Sequence, residues 1–138
     1  MNKADINILS AAVSGDNRDE TDFFTVGTYS EDENGFIIRY SENAEIGYES
    51  CHVTITAKGE SVIIERSAPA PSIMTVEKGK KHHCLYGTPY GDFMMGINAF
   101  EVKNNLTAEG GTLYLKYSID VNSDFLSENE LNIKVKTV

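Results

Sequence analysis

The chain has 138 residues, of which 41% are hydrophobic and 24% charged, and it carries a net charge of −9. A chain of that length forms one domain that hides about two-thirds of its unfolded surface without disulfides or metal, and the composition excludes disorder. The lysines are scattered apart from Lys78, Lys80 and Lys81, so the sequence offers no basic face for nucleic acid or an anionic membrane.

The first element, "MNKADINILSAAVSG", lacks the uninterrupted apolar core of a signal peptide, and no run in the chain reaches the length of a membrane span. Ile6, Leu9 and Val13 fit helical spacing, while Ile6, Ile8, Ser10 and Ala12 fit a strand; the strand-rich surroundings decide for the strand. The polar "GDNRDETD" that follows reads as a solvated loop carrying Arg18. Asn34-Gly35 then separates "FFTVGTYS" from "FIIRYS", a strong short signal for a β-hairpin.

"CHVTITAK" alternates Cys51, Val53, Ile55 and Ala57 against His52, Thr54, Thr56 and Lys58, the pattern of a strand with one face in a core. A turn at Lys58-Gly59-Glu60 leads into "SVIIERS", apolar on both faces until Glu65 and Arg66. Lys78-Gly79-Lys80 reads as a solvated hairpin turn. "HHCLYGTPYGDF" reads as a strand over His82–Tyr86 running into a turn at Thr88–Gly91, where Pro89 pre-sets one backbone angle and Gly91 tolerates conformations other residues avoid.

"DFMMGINAFEV" places Phe93, Met95, Ile97 and Ala99 on one side but Met94, Phe100 and Val102 on the other, which suggests a covered outer face or a subunit contact. After a turn at Glu109-Gly110-Gly111, "TLYLKYSIDV" sets Leu113, Leu115, Tyr117, Ile119 and Val121 on one face. "SDFLSEN", residues 123–129, is read as a single helical turn, and "ELNIKVKTV" closes the chain with Leu131, Ile133 and Val135 inward. Nine or ten extended segments with short turns make an all-β sandwich or closed barrel.

Cys51-His52 and His82-His83-Cys84 supply residue types that bind zinc, but neighbours on a strand point to opposite faces and no pair of close-spaced ligands is present. Cys84 with a histidine base has the parts of a nucleophile, although nothing marks the thiol as activated. The two cysteines fit reduced thiols of a cytosolic protein. "DETD" and "SENE" look like solvated loops, and no phosphate loop, dinucleotide fingerprint or hydrolase elbow is present. Arg39 and Arg66 lie inside strands, where an arginine caps the sheet surface or pairs with a carboxylate; the other reading for Arg66 is an anionic ligand held at a barrel mouth by bidentate geometry.

"RYSENAEIG", "KGESVIIERSA", "LYGTPYGDF", "LYLKYSIDV" and "NELNIKVK", in this order across roughly residues 5–136, resemble the YwiB-like proteins, a family of small uncharacterised bacterial proteins. Tyr86, Thr88, Pro89, Tyr90 and Gly91 match the family's Tyr-x-Thr-Pro-Tyr-Gly element, whereas Ala68 stands where glycine is common after Arg66 and Ser67. The resemblance implies an antiparallel up-and-down calycin-like (lipocalin-like) β-barrel of about 8–10 strands, a single domain over 1–138, with no unpaired strand edges. It carries no activity, cofactor or catalytic residue.

The expected function is that of a non-enzymatic, cytosolic barrel enclosing a small apolar or amphipathic ligand, with Arg66, Tyr86 and Tyr90 orienting it. The alternative is a protein–protein interaction module acting as a homodimer through the two-sided strand at 93–102. An enzyme or metal site built from Cys51, His52, His82 and Cys84 ranks third, and no cofactor is expected.

Overall fold

The computed structural model describes residues 2–42, 51–67, 72–88 and 91–138. Ten strands follow one another: β1 (Asn2–Ser14), β2 (Asn17–Asp32), β3 (Gly35–Glu42), β4 (Cys51–Lys58), β5 (Ser61–Arg66), β6 (Ser72–Glu77), β7 (Lys81–Thr88), β8 (Gly91–Thr107), β9 (Gly110–Val121) and β10 (Asp124–Thr137). They form one antiparallel sheet in the order β6-β5-β4-β3-β2-β1-β10-β9-β8-β7, so the first and last strands pair with each other. The sheet curls into a nearly closed barrel of the calycin-like kind, as the resemblance implied. The expectation of a barrel without unpaired strand edges is corrected at one place: among the described residues no ladder joins β6 to β7.

Period-two alternation decides which side chains fill the interior. On β4 every other residue from Cys51 to Ala57 is buried, and on β5 Val62 and Ile64 are buried in the same way. At the lower end, where the 33–34, 59–60 and 108–109 turns lie, Ala57, Val62, Leu106 and Leu113 are buried. Tyr29 fills its floor, stacking on Phe36 with ring centroids 5.7 Å apart and donating its hydroxyl to the Thr107 carbonyl at 2.6 Å. Burial, with the charge of Glu31 in support, pushes the Tyr29 phenol up to about 12.

The N-terminal segment is a strand, paired on both sides by β2 and β10. Three local readings are corrected. "GDNRDETD" is not a loop beyond its first turn, because β2 begins at Asn17 and its polar residues pair with β1 up to Ser14. Its side chains stay in water, where Arg18 pairs with Glu20 at 2.5 Å. Residues 124–129 form no helical turn: Asn122 and Ser123 both take positive φ, 51° and 73°, the conformation of a tight hairpin turn, and β10 starts at once.

The third correction concerns β8. Its register shifts between Ala99 and Glu101, leaving Phe100 as the extra residue of a bulge. The bulge turns Val102 inward, where it is buried, and leaves Phe100 outside. The strand is therefore less two-sided than its sequence suggests, and its exposed apolar positions are Met94, Phe100 and, at the strand start, Phe93.

The turn at 78–80 is solvated as expected, yet the strands it joins do not pair. Gly79 N instead donates to Ala99 O at 3.3 Å, which ties the turn to β8. At this lower end the seam is bridged by side chains, His82 Nε2 sharing a hydrogen bond with Glu77 Oε1 at 2.9 Å and Lys80 Nζ lying 3.5 Å from Glu77 Oε2.

Candidate functional site

The upper half of the barrel is not filled. A cavity of about 410 Å³ opens above the packed floor, within the range of about 300–1,000 Å³ typical of small-molecule sites. Ile8, Phe23, Ile55, Ile64, Met74 and Leu131 give it apolar walls. Ser10, Thr21, Tyr40, Asn129, Tyr117 and Arg66 supply polar groups, with Asp19 and Glu130 at the outer part. The Ser10 and Thr21 hydroxyls are hydrogen bonded to each other across β1 and β2.

Arg66 ends β5 on the same alternating face as Val62 and Ile64, so its side chain starts inward and lines the cavity while remaining exposed. Across the interior, on β9, stands Tyr117. Burial pushes the Tyr117 phenol up, and the positive charge of Arg66 partly opposes that rise. A guanidinium and a buried hydroxyl thus face one space lined mostly by hydrocarbon. Such a pair can orient a carboxylate, sulfonate or other acceptor-bearing end of a molecule whose body is apolar.

Of the residues expected to orient a ligand, only Arg66 is placed in the cavity by the described structure. Tyr86 lies on β7, paired with Phe93, and its side chain is outside what the structure describes. Tyr90 lies outside the described residues. Tyr117 and Tyr40 are the cavity phenols that sequence reasoning did not single out; both sit at inward positions of alternating strands, and that was their only signal.

The cysteines and histidines do not converge. Cys51 is buried and points inward, while His52 points out and shares a hydrogen bond with Ser41 Oγ at 2.9 Å. His82 is engaged with Glu77, and Cys84 is half-buried with its thiol pushed up by burial, opposite to the shift of an activated nucleophile. Both thiols are free. Among the described residues no group of three or more His, Cys, Asp or Glu side chains could hold a metal ion. No helix of the described residues is long and apolar enough to cross a membrane.

A second hollow lies on the seam. Between the upper ends of β6 and β7 it is lined by outward-facing Glu65, Ile73, His83 and Leu85 and also by inward-facing Arg66 and Cys84. Arg66 therefore borders both the interior cavity and the seam.

The crystal structure of the ywiB protein from Bacillus subtilis superposes on this chain with a TM-score of 0.86 at 16% identity, covering 99% of this chain and 92% of that one. Identity that low speaks to the fold. No curated protein matches the chain in sequence. The model of the domain of unknown function DUF1934 matches residues 6–133, and with nearly the whole barrel inside that match, the chain belongs to the DUF1934 family.

Proposed function

We propose that this protein is a binding protein rather than an enzyme, and that it holds a small amphipathic molecule in the upper half of the barrel. The observation that carries the reading is the cavity itself, about 410 Å³ of mostly apolar wall with the cation of Arg66 facing Tyr117. The apolar body of the ligand would lie against Ile8, Ile55 and Leu131, and its acceptor end against Arg66 and Tyr117. The two free thiols support a reducing, cytosolic setting.

Fluorescence titration with anionic anilinonaphthalene sulfonate and with neutral N-phenylnaphthylamine tests this, beside native mass spectrometry of gently purified protein. Saturable one-to-one binding that is lost when Leu131→Trp fills the cavity supports the reading. Absence of saturable binding for both probes, with no extra mass on the native protein, overturns it.

A second reading is a homodimer formed through β7 and β8. Leu85 and Met94 are cross-strand partners, 61% and 42% exposed, and Phe100 lies further along the same outer face. Sedimentation of the protein and of Met94→Asp would separate the two: a dimer that the variant dissolves favours the interface, and a monomer in both cases removes it.

A further inference from the structure

The seam between β6 and β7 is closed differently at its two ends. Its lower end is shut by the Glu77–His82 hydrogen bond, the Lys80–Glu77 ion pair and the bond from Gly79 N to Ala99 O. Its upper end is lined by residues of opposite facing, Ile73 and Leu85 from the outer surface and Arg66 and Cys84 from the inner one. Among the described residues no ladder joins β6 to β7, so no row of backbone hydrogen bonds closes the wall along this hollow. Arg66 stands at its inner end and also lines the interior cavity.

We infer that the upper seam is a side entrance to the ligand cavity, through which a narrow amphipathic molecule passes between Ile73 and Leu85 and past Arg66. This rests on the ligand-binding reading above. The chemistry of the slot suits such a molecule. Ile73 and Leu85, each 61% exposed, offer apolar contact at the outer lip, and the guanidinium meets an acceptor end on the way in. The lower latch holds the strand ends together, so the upper ends can part without the barrel losing its closure at Glu77 and His82.

Cys84 gives a native handle for the test, with Cys51→Ser as the background so that one thiol reacts. A bulky methanethiosulfonate couples to Cys84 as a mixed disulfide and plugs the slot, methyl methanethiosulfonate leaves only a small adduct, and dithiothreitol removes either. Stopped-flow mixing with anilinonaphthalene sulfonate reads the association rate. The bulky adduct is expected to slow association about tenfold, with recovery on reduction and little effect of the methyl adduct. Ile73→Ala with Leu85→Ala widens the slot at two exposed positions and is expected to speed association severalfold.

Unchanged rates in the plugged and the widened protein, with equilibrium binding intact, overturn the entrance and leave the ligand-binding reading standing. Entry would then lie elsewhere, for instance at the notch lined by Val26, Tyr40 and Val53. No saturable binding by the unmodified protein overturns both together.

Discussion

Arg66 on β5 and Tyr117 on β9 face each other across the barrel, and the charge of the first is felt by the buried phenol of the second. Neither residue is near the other in sequence. Only closure of the sheet through β1 and β10 brings their two walls around one space.

Arg66→Ala is expected to weaken anilinonaphthalene sulfonate binding about ten- to a hundredfold, the scale of a hydrogen bond to a charged group. The neutral probe should lose much less. Because Arg66 is exposed at the end of its strand, the melting temperature should hardly move. Titrating both probes into both proteins checks this, and equal losses for the two probes would show that Arg66 shapes the cavity rather than reading a head group.

Tyr29 makes a different prediction, for alkaline solution. Its native phenol titrates at about 12 against an ordinary value of 10.0, so the folded state holds this proton more tightly than the unfolded chain does. The stabilisation is complete below about pH 10 and fades as pH rises through that value towards about 12. Tyr29→Phe removes the bond to Thr107 O, costs about 1 kcal/mol at neutral pH, and should flatten the alkaline fall measured by urea denaturation.

At the other end of the pH scale the latch at the seam should loosen. The hydrogen bond from His82, assisted by Lys80 and against a smaller effect of burial, holds the Glu77 carboxyl below its ordinary 4.5. Its contribution is therefore present above about pH 4.5 and is lost as pH falls through the lower native value. Glu77→Gln should make urea midpoints less sensitive to pH over that acid range. An identical pH profile in the variant would mean that the latch does not contribute to stability.

Gly27 is expected to resist substitution although it sits in a strand. A Cβ there would lie 2.1 Å from the Arg39 carbonyl oxygen and 2.8 Å from Ile6 Cδ1, at the point where β2 stops pairing with β3. Backbone cannot yield as a side-chain tip can, so Gly27→Ala should cost about 1–3 kcal/mol, read as a lowered melting temperature. Gly15→Ala is the comparison for a glycine in open space, its cost coming from its positive φ alone.

Alternation made most of the wall legible in advance. The inward sets of β4, β9 and β10 follow directly from residues such as Val53, Leu115 and Ile133, since each needs only its own strand's period. Val102 was hidden because a bulge adds one residue without any mark in composition. The seam was hidden because Lys78-Gly79-Lys80 has the chemistry of a hairpin turn whether or not its strands pair. The site was only half legible: Arg66 stands out as a strand arginine, but Tyr117 gains its meaning from a wall more than forty residues away, which no local pattern records.

The seam also sets where the chain could be rewired. Ala4 pairs with Thr137, and Val138 N donates to Lys3 O at 3.0 Å, so the two ends of the barrel chain lie side by side. Joining them and cutting at Gly79 would yield a circular permutant running from β7 to β10, through β1, and on to β6. In that order every strand pairs with its successor and with nothing more distant. The long-range β1–β10 closure would become a local hairpin, and the permutant should fold faster than the natural connectivity while keeping the same barrel.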